Sequence, residues 1–448
     1  MKAVRVAGFT APIVYSVSGL PAGLSAVVSP TSVVDSVSVA FAASLAVAQG
    51  VYTATVSGAA SARTQAVAIA VTVGPANTSS TVQLDLSACV AGGRTVWLAA
   101  QDGTLAFQRI TPANGIYTVS LTSGRGAVAA AINSTTDTEV FVNYGTAAEL
   151  MARDYCNLSS LAPRTRSITV SALGIGLDEF VDVTTGGFHT SLQSALPSET
   201  LFSLPDGPLD MMAWKYHRLV PGQGVRGIIR RNQTFANGGT ASPFNFTSAE
   251  AFLPATATVT NGGFDGESGG AGMSYYIGQG CRASYDLGNY VPFTSTMYGV
   301  PASMMQSGEL HAVFLATNTR LAMNFFATMS NQSISLGALP PPLTVSTLNG
   351  PYRRQQIGLT LPSDYTYASY EYTDGNRHWA SVSGNAGYFG GGTMTLAMPD
   401  LSSVPGFDIA WVPASGSTGR WNFSAASHAS RPCTAGARYR EAHSTGVN

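Results

Sequence analysis

The sequence predicts an all-β chain, with tandem small β-sandwiches leading into a larger C-terminal β domain. Three observations carry that expectation. Apolar and polar residues alternate along most segments, the period of a half-buried strand, and no long helical period interrupts them. Charged residues make up only 10% of the chain, against about 25% in ordinary globular domains. Hydrophobic residues reach 45%, so the composition is not that of a disordered chain. The polar surface must therefore come from Ser, Thr, Asn, Gln and Gly, as it does on solvent-facing strands. Finally, 448 residues exceed one ordinary core and point to roughly two to four domains.

Residues 1–75 form the first expected unit. Tyr15-Ser-Val-Ser-Gly-Leu-Pro-Ala-Gly-Leu24 leads through Ser29-Pro30 to an alternating run, then to Gly50-Val-Tyr-Thr-Ala-Thr-Val-Ser-Gly58. Val67, Ile69, Val71 and Val73 close the pattern. This segment resembles the immunoglobulin-like modules repeated along secreted and surface-attached bacterial proteins. The resemblance implies a β-sandwich, a place outside the cytoplasm, and a role in spacing, presenting or adhering rather than catalysis. Met1-Lys2 runs straight into strand-like Val4–Phe9, with no export signal and little room for a full first strand. We therefore expect a module truncated or processed at its start.

Residues 76–160 read as a second small sandwich. Val82, Leu84 and Leu86 open it, and Val96–Gln101 meets Asp102-Gly103 before returning as Thr104–Ile110. Asp-Gly between two alternating runs signals a hairpin, because its turn needs positive φ. Gly115–Leu121, which echoes Gly50–Val56, is followed by Gly126–Ile132 and Glu139–Tyr144.

Residues 161–238 make the third unit, with strands at Arg166–Ser171, Phe180–Val183, Leu201–Leu204, Leu209–Trp214 and Val225–Arg231. The run Phe202-Ser-Leu-Pro-Asp-Gly-Pro-Leu-Asp-Met-Met-Ala213 resembles the small transthyretin-like or carboxypeptidase-regulatory sandwiches of secreted proteins.

Residues 239–448 form the larger β-sandwich domain. Thr247 with Glu250 has capping-box spacing, but Pro254 stops any helix within one turn. Pro340-Pro341-Pro342 divides the block or stiffens a loop. Strands are expected at Gln356–Leu361, Tyr365–Tyr372, Thr393–Met398 and Phe407–Val412, with a second hairpin at Asp374-Gly375. The stretch from His428 is a loose tail unless Cys433 ties it down.

The formal charge of -1 argues against nucleic acid, which needs a phosphate-neutralising surface. Lys occurs only at Lys2 and Lys215, and the cluster Arg218, Arg226, Arg230 and Arg231 reads as a solvated hairpin. No uninterrupted apolar stretch is long enough to span a membrane. Cys89, Cys156, Cys281 and Cys433 lack metal-site spacing and read as disulfide candidates. Proximity in the chain favours Cys89–Cys156 and Cys281–Cys433. Four buried thiols would be the cytosolic alternative.

Gly266-Glu267-Ser268-Gly269-Gly270 matches the string around a hydrolase nucleophile. Such a Ser needs a buried strand before it and a helix after it. Asn261–Gly266 is no buried strand, and Ala271-Gly272 is a poor helix start, so a Gly-rich loop is expected. The scattered histidines give no metal-ligand spacing, and no cofactor is implied.

The aromatic series Tyr365, Tyr367, Tyr370, Tyr372, Trp379 and Tyr388 is the candidate binding site. Presented on a sheet face, these rings would stack on sugars or anchor a protein partner. Turned inward, they would be core. The functional expectation is a non-catalytic extracellular or cell-surface protein, adhesive or carbohydrate-binding, with a glycan or surface protein as partner. The alternative is a structural subunit of a surface layer or filament, pairing with itself as a homopolymer. A secreted serine hydrolase using Ser268 stands behind both.

Overall fold

A computed structural model describes residues 12–22, 24–29, 32–33, 37–43, 50–60, 63–73, 80–91, 93–113, 115–122, 124–133, 138–151, 155, 166–185, 188–217, 223–277, 284–290, 296–375, 378–389 and 393–447. Cys156, Cys281, Arg218 and the Val4–Phe9 segment lie outside these. The chain is all-β, and its contacts divide it into two compact units, Met1–Thr81 with Ser120–Gly124, and Val82–Val119 with Arg125–Asn448.

The first unit carries β1 (Ile13–Ser18), β2 (Leu24–Ser29), β3 (Ser32–Val33), β4 (Ser38–Ala43), β5 (Gly50–Ala60) and β6 (Arg63–Val73). They form a sheet in the order β3-β1-β5-β6 and a two-stranded sheet β2-β4. Tyr15, Leu24, Val37, Ala54 and Val56 are buried. The apolar residues of β6 are less covered. Val67 is 52% exposed, and Ile69, Val71 and Val73 are only half-buried.

Next come β7 (Ser80–Asp85), α1 (Ser87–Ala91), β8 (Thr95–Asp102), β9 (Gln108–Arg109), β10 (Ile116–Leu121), β11 (Arg125–Asn133), β12 (Thr138–Thr146) and α2 (Ala147–Met151). Gly103 has φ 56, as the Asp-Gly turn requires, yet the returning strand pairs only at Gln108 and Arg109. A capping box does form, but at α2. Glu149 accepts from Thr146 N at 2.8 Å, and Thr146 Oγ1 accepts from Glu149 N at 3.4 Å. At Thr247 the chain makes a turn instead, its amide bound to Asn245 Oδ1 at 3.0 Å, while Glu250 pairs with Arg230.

A sandwich follows, made by β13 (Arg166–Leu173), β14 (Glu179–Thr185), β15 (Phe188–Gln193), β16 (Ser198–Leu204), β17 (Leu209–His217), β18 (Gly224–Gln233), β19 (Gly239–Thr240) and β20 (Phe244–Asn245). One sheet runs β16-β13-β19, with β20 also on β13, and the other runs β15-β14-β17-β18. Their core includes Ile168, Val181, Val183, Leu192 and Met211, and continues through Ala241, Phe244, Phe246 and Ala251. The strands that complete it in parallel on β13 lie past residue 238, so the boundary expected there falls inside this core.

The remaining strands are β21 (Ala255–Gly262), β22 (Gly269–Tyr276), β23 (Ser284–Tyr290), β24 (Thr296–Gly299), β25 (Leu310–Thr317), β26 (Arg320–Phe326) and β27 (Gln332–Ser335). After Pro340–Pro342 come β28 (Thr344–Leu348), β29 (Arg354–Thr360), β30 (Tyr367–Thr373), β31 (His378–Asn385), α3 (Ala386–Phe389), β32 (Thr393–Ala397), β33 (Arg420–Ala426) and β34 (Arg438–Val447). Phe407–Val412, expected as a strand, is a loop with a short 3-10 turn at Ile409–Trp411. Phe407 and Trp411 are spent on packing edge-on against Trp97, at ring distances of 5.1 and 6.3 Å.

Twelve strands make one sheet, in the order β23-β22-β25-β26-β34-β33-β30-β31-β12-β11-β8-β9. The join of its eighth and ninth strands is parallel, β31 with β12, and it unites residues 95–146 with the C-terminal block. The boundary expected at residue 160 does not interrupt this sheet. Two three-stranded sheets pack on one face of it. β24-β21-β27 closes a core with Met273, Tyr275, Val313 and Leu315. β28-β29-β32 closes another with Ala129, Val142, Tyr370 and Val382. The proline run lies between these two covering sheets.

Candidate functional site

The opposite face of the twelve-stranded sheet carries the candidate site. At one end α2 lies against β11 and β12, and α1 against β8. At the other end Tyr276, Leu310, Ala312, Met323, Phe325, Tyr367 and Tyr439 form a buried cluster. Between them, β12, β31, β30, β33 and β34 present polar residues.

Register sets out those residues in rows, because side chains directly opposite on neighbouring strands share a face. One row is Asn143, Ser383, Ser369, Ser424 and His443. The next is Phe141, Ser381, Glu371, Asn422 and Thr445, and the third is Glu139, Trp379, Thr373, Arg420 and Val447. Two aromatic groups border this floor. Phe141 stacks on Tyr155 at 5.4 Å, and Arg431 lies over Tyr439 at 5.9 Å.

Parts of the floor are already satisfied. Ser383 Oγ donates to Asn143 Oδ1 at 2.5 Å, and Ser424 Oγ donates to Glu441 Oε1 at 2.8 Å. Among the described residues, Ser369, Ser381, Glu371, Asn385 and Asn422 make no side-chain hydrogen bond. Asn385 is nonetheless only 8% exposed. Buried polar groups ordinarily find a partner, so this floor offers donors and acceptors that the protein does not itself use. Burial raises the carboxyl of Glu371 above its ordinary range, and the nearby charge of Glu139 adds to the shift.

Trp379 is 38% exposed, standing between Glu139 on β12 and Thr373 on β30. The other predicted aromatics are placed differently. Tyr365, Tyr370 and Tyr372 are buried in the core under β28-β29-β32, with hydroxyls bonded to Ala338 O, Gln355 Oε1 and Arg353 O. Tyr367 is buried in the cluster on the opposite face. Tyr365 lies before β30, in a turn closed from its N–H to Pro362 O, so it does not share the face of Tyr367. Tyr388 is half-buried, donating to Gly103 O at 3.2 Å beneath Arg125. Nothing in the sequence singles out the residues that surround Trp379, since Ser and Asn in alternation signal only a solvated strand face.

Ser268 is exposed and is followed directly by strand β22, not by a helix. Its neighbour Glu267 pairs with Arg320, so the Gly-rich string delivers an anchoring carboxylate. The arginines read as solvated are engaged as well. Arg226 donates to Ala251 O at 3.2 Å, Arg230 pairs with Glu250, and Arg231 pairs with the buried Glu309. Among the described residues no His, Cys, Asp and Glu come together in threes as metal ligands, and no helix is long and apolar enough to cross a membrane. Cys89 and Cys433 are disulfide-bonded.

No protein-family model matches the chain, and no curated protein matches it. Solved structures that it matches include the FN1–FN3 domains of chicken CNTN1, at 9% identity over 67% of this chain and 88% of that one, with a TM-score of 0.15. Another is a tetra-tandem repeat in the extending region of a large adhesion protein, at 12% identity over 88% of this chain and 95% of that one, again with a TM-score of 0.15. Scores this low carry nothing about function.

Proposed function

We propose that this chain is a non-catalytic, modular binding protein of the cell exterior that holds a glycan on the polar face of its central sheet. The observation that carries this reading is the exposed indole of Trp379 beside a floor of unpartnered Ser, Asn and Glu side chains. A sugar ring has an apolar C–H face ringed by hydroxyls. The negative face of an indole suits the first, and hydroxyl, amide and carboxylate groups suit the second. Disulfide-bonded Cys89 and Cys433 support an oxidising compartment, where such bonds persist. A surface protein anchored by the same indole is the partner that a negative glycan screen would favour.

Trp379→Ala tests the site. In a glycan screen followed by calorimetry, affinity is expected to fall at least about tenfold, on the order of 1.4 kcal/mol, with the thermal midpoint unchanged. Binding that survives the substitution would remove Trp379 from the site.

A further inference from the structure

Among the described residues the longest open edge in the first unit is β6, and it is built without the usual protection. It runs for 11 residues, Arg63-Thr-Gln-Ala-Val-Ala-Ile-Ala-Val-Thr-Val73. β5 pairs with one side in unbroken register, and β6 ends the sheet order. Native edges are ordinarily blunted by Lys, Pro, a bulge or an inward charge. Between Thr64 and Val73 there is no charge, no Pro and no register break. On the face shared with the buried Val56 and Ala54, Val67 and Ile69 continue the apolar surface beyond β5.

We infer that β6 is a dimerisation edge, pairing antiparallel with β6 of a second copy of this chain. The strand is complementary to itself. A two-fold axis on Ala68 opposes Val67 to Ile69, Gln65 to Val71, Ala66 to Ala70 and Thr64 to Thr72. The partly uncovered valine and isoleucine side chains then cover one another across the axis. Each Arg63 meets the far end of the partner strand, so the charged ends stay apart. Such a contact is isologous and closes at two copies, which makes the assembly a dimer and not a filament. It also completes the backbone hydrogen bonds that an edge leaves open.

The test is the mass of the full chain by light scattering across a dilution series. Wild type is expected at twice 46.3 kDa, falling to one chain on dilution. Ala66→Lys with Ala70→Lys sets like charges opposite one another across the axis, on the side of β6 that faces away from Val56. That pair of changes should give a single-chain mass at every concentration, with unchanged circular dichroism. Ala68→Cys should link two chains under mild oxidation, whereas Thr72→Cys should not, since residue 72 meets residue 64. A wild-type chain that stays monomeric at its highest soluble concentration would overturn the inference. So would a doubled mass that survives the two lysine changes, or linking equally efficient through position 72.

Discussion

His311 is fully buried on β25, its ring stacked on Phe326 at 5.4 Å and tilted to Tyr275 at 5.0 Å. Nε2 accepts from Val300 N at 3.0 Å, so in the neutral ring the proton is on Nδ1. Burial pushes its pKa down to about 4 from 6.5, and Glu309 nearby restores only part of the shift. The unfolded chain therefore takes up a proton near pH 6.5 that the folded chain resists until about pH 4. Stability contributed by the neutral ring is complete above the unfolded value and is lost as the pH falls through that window, about 3 kcal/mol in all. Denaturant unfolding at a series of pH values should show this slope, and His311→Gln, which keeps an acceptor, should flatten it. An unchanged slope in the variant would assign it to other groups.

Between elements, a few buried charges fix how sheets meet. Arg320, fully buried at the start of β26, donates to Glu267 at 2.6 Å, Asp265 at 2.8 Å, Gly337 O at 2.7 Å and Phe264 O at 2.9 Å. It thereby ties the loop before β22 to the segment leading from one covering sheet to the next. Burial opposes the charge on Glu267, but hydrogen bonds from Thr319 and Arg320 hold its carboxyl below the ordinary range. Glu309 links the β13–β20 sandwich to β25 in a similar way, accepting from Arg231 at 2.7 Å and Tyr275 Oη at 2.5 Å. Without Arg320 the carbonyls of Gly337 and Phe264 lose their donor, while the carboxylates of Glu267 and Asp265 keep access to solvent. Arg320→Met is accordingly expected to cost about 2–3 kcal/mol, read as a lower urea midpoint. A loss of less than about 1 kcal/mol, the size of a surface pair, would mean that the network is dispensable.

At the scale of the whole molecule, covalent bonds add to what the strands hold. Cys89 sits on α1 against β8, and Cys433 sits in the connection between β33 and β34. The expected map of non-reduced peptides is Cys89–Cys156 with Cys281–Cys433, and reduction should lower stability by about 2–4 kcal/mol per bond. A peptide joining Cys89 to Cys433 would refute that pairing. The stretch from His428, a loose tail unless Cys433 ties it down, contains a disulfide-bonded Cys433 and leads into β34, which is paired on both sides by β33 and β26.

The sequence by itself determined what is local. Alternation located most strands within a residue or two, from Arg166–Leu173 to Thr393–Ala397, and Asp374-Gly375 marked a true hairpin, with Gly375 at φ 77. Low charge with abundant Ser and Thr announced an all-β surface. Only the tertiary structure decided which face of each strand is wet. Tyr370 and Trp379 lie on neighbouring strands, yet register sends one into the core and leaves the other exposed. The parallel join of β12 to β31 unites segments some 240 residues apart, and no local pattern encodes it. A strand's alternation specifies that it has two faces. What covers each face depends on partners whose distance along the chain leaves no mark on the strand's own residues.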